Sequence, residues 1–226
     1  MKIGVLLSGC GVYDGAEIHE SVLTLLAIEE AGAEAVCLSA NQNQHHVINH
    51  LTGEEIPESR NMMVEAARIA RGAVHDISTY DISQVDALVI PGGFGSAKNF
   101  STWAFDGPNG TILPEIKTLI QQFISNKKPI AALCVSPVVL ALALSDLELR
   151  LTMTLGTDLE KSPYDIQAFS AGMEQKGVQA EMKTIREISV DEKFKIVSAP
   201  CYMMDASVLE IRNNISQAIQ ALIKLI

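Results

Sequence analysis

Basic residues are the scarce class in this 226-residue chain: 17 Lys and Arg stand against 27 Asp and Glu, a formal net charge of −10 with histidine neutral. Phosphate backbones and anionic lipid surfaces are held by clustered Lys and Arg, so neither nucleic acid nor membrane is an expected partner. Long apolar runs are missing as well; no stretch approaches the roughly 20 residues of a membrane span. Cysteine is sparse. Cys10, Cys37, Cys134 and Cys201 are scattered with no C-x-x-C pair, which argues against a disulfide framework or a zinc site. The N-terminus, Met1-Lys2-Ile3-Gly4-Val5-Leu6-Leu7, reads at once as a strand, without a basic leader, an apolar signal region or an Arg/Ser-rich transit segment. A cytoplasmic protein with free thiols is the expectation.

Against these absences, 48% of the residues are apolar, enough for a substantial core at this length. Strand and helix patterns alternate. Residues 2–7 form a buried-type strand, 8–15 a Gly-rich loop, 16–31 a helix and 33–40 a second strand. Ile18, Val22, Leu25, Leu26 and Ile28 mark the helix face expected to point inward. A polar insertion (41–59) and a helix (60–71) precede a strand at 86–90. Residues 111–126 are helical, 129–133 a strand, and a helix starts near Pro137. Further on, 149–155 and 178–183 read as strands, 187–200 as a hairpin turning at Asp191-Glu192-Lys193, and 207–225 as a closing helix. The expected fold is one α/β domain spanning 1–226: a flavodoxin-like three-layer αβα sandwich, its central sheet mostly parallel, with an added C-terminal hairpin.

The most informative segment is Pro129-Ile130-Ala131-Ala132-Leu133-Cys134-Val135-Ser136-Pro137. A buried strand runs into Cys134 and a helix begins within three residues. Small neighbours at Ala132 and Ser136 satisfy the steric demand of a nucleophile elbow, and Pro137 suits the first helical position. A thiol over a helix N-terminus is expected to ionise below the free value of roughly 8.5. A space-filling core cysteine is the bland reading, and it is preferred for Cys10, Cys37 and Cys201.

The strands ending at Ile90 and Leu133 are joined by one helix, so a right-handed crossover makes them parallel neighbours. Pro91-Gly92-Gly93-Phe94-Gly95 then lands beside Cys134, and the Gly93 and Val135 N–H groups become the oxyanion-hole candidates. The Gly-rich loop at 8–15 opens on the same edge. Glu17 is the first-choice proton shuttle, with Glu20 and Asp14 as rivals. Gly92, Lys98 and Asn99 are the candidate substrate-binding residues. His46 and His50 have i,i+4 spacing but no third ligand is evident, so a polar surface helix without metal is expected there.

Segments 8–20, 47–54, 91–99 and 151–158 resemble the ElbB glyoxalase-like family, named for a link to isoprenoid biosynthesis, within the PfpI-type, class I glutamine amidotransferase-like superfamily. After Leu144 the resemblance loosens, with Cys201 standing where a small residue is expected. The resemblance implies a homodimer without a cofactor, in which the elbow cysteine, Cys134, is the nucleophile and Glu17 supports it. It also implies conversion of glyoxal to glycolate, or the related deglycation of proteins. All five histidines precede Cys134, so the Cys-His pair of an amidotransferase is missing in its usual order; His19 reaches the site only if its side chain turns toward it. The alternative function is a redox-sensing or binding protein that oxidises at Cys134.

Overall fold

The computed structural model describes residues 1–226. β1 (Lys2–Leu6), α1 (Ile18–Glu30) and β2 (Glu34–Ser39) form the opening unit; the insertion holds β3 (Val47–Ile48), β4 (Glu55–Ile56), α2 (Met62–Ile69) and β5 (Val74–Asp76). Next come β6 (Ala87–Ile90), the short helices α3 (Phe94–Lys98) and α4 (Trp103–Asp106), α5 (Pro114–Ser125), β7 (Ile130–Leu133) and α6 (Pro137–Leu144). β8 (Thr152–Gly156), α7 (Ile166–Glu174), β9 (Gln179–Met182), β10 (Ser189–Asp191), β11 (Ile196–Ala199) and α8 (Val208–Lys224) complete the chain.

Seven strands make the central sheet in the order β10-β11-β7-β6-β1-β2-β5. All pair in parallel except the edge strand β10. The inner five reproduce the flavodoxin order, and every residue of β6, β7 and β11 is buried, as strands covered on both faces must be. The β1-to-β2 crossover steps one way along the sheet and β6-to-β7 the other. With both right-handed, their helices lie on opposite faces, and a crevice opens where the direction reverses, at the carboxyl ends of β1 and β6.

The C-terminal hairpin joins the sheet as expected, β11 lying parallel beside β7 with Ala199 opposite Leu133 and β10 antiparallel at the edge. The strands expected at 149–155 and 178–183 form as β8 and β9 and pair with one another in a separate two-stranded sheet. One expectation needs correction: the insertion carries no helix across His46 and His50. Its β3 is pinned to the Gly-rich loop by the Ile48 N–H, which donates to Asp14 Oδ2 at 2.8 Å, and that bond outweighs the polar i,i+4 pattern.

The orientation of α1 is also corrected. Ile18, Val22 and Leu26 are 42–49% exposed, whereas Glu20, Ser21, Thr24, Ala27 and Ile28 are buried. Close packing against the sheet and α8 favours the narrow side chains of the helix, so its small and polar side faces inward.

Candidate active site

Cys134 occupies the expected elbow. Its φ of 55° is in the left-handed region, where a residue with a Cβ is strained by about 1–2 kcal/mol, so the surrounding contacts must hold it there. Its N–H donates to Ala199 O at 2.9 Å. Two residues on, the buried Ser136 hydroxyl donates to Pro91 O at 2.7 Å and lies 3.0 Å from Ser96 Oγ, which ties the elbow to the glycine loop. Pro137 starts α6 as expected.

The glycine loop approaches the sulfur closely. A side chain at Gly92 would collide with Cys134 Cβ and with Glu20 Oε2. Gly93 has φ 96° and precedes α3. The N–H groups of Gly93 and Val135 both favour the Cys134 anion, so the pair expected as an oxyanion hole does converge on the thiol. Gly92 differs from expectation. Its N–H is spent on Glu20 Oε2 at 2.8 Å, so it positions a carboxyl and offers no donor to a substrate.

The carboxyl set beside the thiol belongs to Glu20, the rival of Glu17: a Cβ on Gly92 would meet Glu20 Oε2 and Cys134 Sγ alike. Glu20 is completely buried, its Oε1 accepting from the Tyr202 N–H at 3.1 Å. Burial, then the charge of Glu17, pushes its carboxyl up to about 8. Glu17 lies outside the helix, extended at φ −64° and ψ 126°, and its carboxylate folds back to cap α1 through the Glu20 N–H at 2.6 Å. It still lines the cavity over Cys134, and burial raises its pKa too. Its charge acts on Glu20, the carboxyl nearer the thiol.

The expectation of an acidic thiol is overturned. Burial raises the Cys134 pKa well above the ordinary value, and the Glu20 charge raises it further. Only the second effect is reversible: below about pH 8 Glu20 is protonated, its charge is gone, and its O–H becomes a donor toward sulfur. The protons then belong to the pair rather than to either residue. A neutral carboxyl and two backbone N–H groups facing one sulfur can stabilise a transient thiolate and return a proton to an oxygen beside it.

The cavity over Cys134 is walled by Val12, Phe94, Val135, Tyr164, Phe169 and Tyr202, with a free volume of about 20 Å³. A much larger cleft of about 780 Å³ lies between residues 145–150 and 174–179, but it holds no cysteine or histidine. Lys98 and Asn99 do not face the cavity. Lys98 Nζ donates to Tyr13 O at 2.9 Å and meets His46 Nε2 at 2.9 Å. The Asn99 amide donates to Ser8 O and Asp14 O at 2.9 and 2.8 Å. Both brace the Gly-rich loop, which corrects their assignment to substrate. His19 stands at the rim, its Nδ1 2.9 Å from Tyr202 Oη.

The similarity to known proteins extends over the whole chain. It is 35% identical over 228 residues to the rat ES1 protein homolog, mitochondrial, covering 99% of this chain and 84% of that protein. The human glutamine amidotransferase-like class 1 domain-containing protein 3, mitochondrial, is also 35% identical, over 99% of this chain and 83% of its own length. These names correct the cytoplasmic expectation, since both relatives are mitochondrial. The crystal structure of an isoprenoid biosynthesis protein with amidotransferase-like domain from Ehrlichia chaffeensis superposes with a TM-score of 0.90 at 35% identity, covering 100% of this chain and 99% of that one. With the DJ-1/PfpI family profile matching residues 10–161, the chain belongs to the DJ-1/PfpI family.

Proposed function

We propose that this protein is a cofactor-independent glyoxalase of the ElbB-like branch, converting glyoxal to glycolate at Cys134. The observation that carries the reading is the buried Cys134–Glu20 pair beneath the Gly93 and Val135 N–H groups. The Cys134 thiol first gives its proton to water, leaving the pair with the one proton on Glu20; the sulfur anion then adds to one carbonyl carbon, and the new alkoxide is met by the two N–H groups and takes the proton of Glu20. Glu20, now a carboxylate, takes the hydrogen from that carbon as a proton and delivers it to the second carbon. An enediol-like intermediate so becomes a glycolyl thioester. Water cleaves the thioester to glycolate and frees the thiol. One water is consumed, nothing is oxidised overall, and no cofactor enters any step.

At about 20 Å³ the cavity admits little beyond a single oxygen-sized group, so even a two-carbon aldehyde needs Tyr164 or Tyr202 to move, and a glycated protein side chain needs a far larger opening. A homodimer is part of the same reading, with the exposed stripe of Ile18, Val22 and Leu26 as the surface it would cover. The test is glyoxal turnover by purified protein. Cys134→Ala should abolish it and Glu20→Gln should lower it at least a hundredfold. Undiminished turnover in Cys134→Ala would refute the assignment.

A further inference from the structure

Beside the small cavity over Cys134 lies a wider one, of about 430 Å³, lined by Tyr13, Pro163, Met204 and Asp205 among others. Val12, Glu17, Tyr164 and Tyr202 line both, so these four side chains are the partition between them. The wider cavity has the size of a small-molecule site, roughly 300–1,000 Å³, and the two carbons of glyoxal give it nothing to hold. Three tyrosines from separate segments wall it, and each is fixed. The Tyr13 N–H donates to His50 Nε2 at 3.2 Å, and its carbonyl accepts from Lys98 Nζ at 2.9 Å. Tyr164 packs edge to face with Phe94, 5.8 Å between ring centroids, and its N–H donates to Ser162 Oγ at 2.9 Å. Tyr202 Oη lies 2.9 Å from His19 Nδ1.

The charge around this cavity has one sign. Glu17 and Asp205 line it, no Lys or Arg does, and His19 is the one lining residue able to become positive. Burial pushes the Tyr164 phenol up to about 12, and the charges that act on it, of Cys134, Glu20, Tyr13 and Glu17, all push the same way. After burial, the charges acting on Tyr202 are those of Glu17, Glu20 and Cys201, again all acidic. An anionic substituent would meet repulsion here, and a neutral one would leave the carboxylates unanswered. Tyrosine rings combined with carboxylates are what an organic ammonium group binds.

We propose that the wider cavity is a seat for an organic ammonium group, and that the substrate is an α-oxoaldehyde carrying one, its aldehyde end passing between Tyr164 and Tyr202 to Cys134. Tyr13, Tyr164 and Tyr202 contact the cation, and Glu17 and Asp205 balance its charge. The steps at the sulfur are those given for glyoxal. Binding at the ammonium end, remote from the reacting carbons, supplies the free energy that moves the two shared tyrosines aside. The position of the aldehyde end rests on the glyoxalase reading, whereas the ammonium seat does not.

The seat is tested on the full chain without any aldehyde, using choline as the cation and its uncharged tert-butyl isostere as the control. NMR titration should show choline binding at least about tenfold tighter than the isostere. Its Kd should rise about threefold in Asp205→Asn and about tenfold in Tyr13→Leu. Bound choline should also slow the alkylation of Cys134 by iodoacetamide. Equal binding of the two compounds, choline binding that neither substitution weakens, or binding that leaves Cys134 alkylation untouched would overturn the seat. Should Tyr13→Leu fail to fold, the exposed Asp205→Asn decides alone. In turnover, the wild-type preference in kcat/KM for the trimethylammonio derivative of methylglyoxal over methylglyoxal itself should fall about threefold in Asp205→Asn. A preference that this substitution leaves intact would overturn the substrate class. Neither aldehyde being turned over, while choline still binds and shields Cys134, would refute the glyoxalase reading and support the seat.

Discussion

Replacing Glu20 by Gln should remove a pH dependence of folding stability that the buried carboxyl imposes. The Glu20 pKa rises from an ordinary 4.5 to about 8 in the folded chain, through burial first and the Glu17 charge second. Between those values the folded protein keeps a proton that the unfolded chain has released, so each unit of rising pH costs the folded state about 1.4 kcal/mol. The contribution is fully present below pH 4.5 and lost as pH rises through 8. Across the whole interval the ceiling is about 5 kcal/mol. Water entering the opened pair and relaxation of Glu17 lower this, and about 2–4 kcal/mol is the expected span.

Gln keeps the volume of Glu20 but has one acceptor oxygen for the two N–H groups, of Gly92 and Tyr202, that the carboxyl now satisfies. Losing one partner costs about 1–3 kcal/mol, with no dependence on pH. Offset and slope therefore separate. Urea unfolding of wild type and E20Q from pH 5 to 9 should show the wild type more stable at the acid end. Its advantage should shrink by about 2–4 kcal/mol toward the alkaline end. Parallel stability curves, whatever their offset, would refute the buried protonated carboxyl and with it the proton source assigned to Glu20.

Glu17→Gln removes the nearest charge acting on Glu20, so the midpoint in the pH profile of kcat/KM for glyoxal should move to lower pH; a midpoint that stays put or moves up would count against the coupling. Gly92→Ala places a methyl against Cys134 Cβ and Glu20 Oε2, and the displaced pair should lose at least about a hundredfold in turnover; near-normal activity would show that the close approach is dispensable. Val22→Glu puts a charge in the exposed stripe of α1, and light scattering should find a dimer for the wild type and a monomer for the variant; a variant that dimerises like the wild type would place the interface elsewhere.

The strands beside the site and the elbow were legible because they depend on signals local in sequence. β6 and β7 are uninterrupted apolar runs, and a strand, a cysteine, two small residues and a proline leave few backbone paths. The catalytic-site carboxyl was harder, because its assignment turned on two residues of helix boundary. A helix begun at Ala16 aims Glu17 at the sheet edge; a helix begun at Ile18 makes Glu17 the cap and turns Glu20 inward. Glu17-x-x-Glu20 has the cap-to-third-residue spacing that marks such a start, and that signal was available. Hydropathy pointed the wrong way for α1, because it places the largest aliphatic side chains inside whereas a crowded sheet accepts the smallest. The same crowding explains the site's chemistry. A carboxyl forced into that narrow inward face cannot be hydrated, stays protonated near neutral pH, and so becomes a donor toward the Cys134 sulfur beside it.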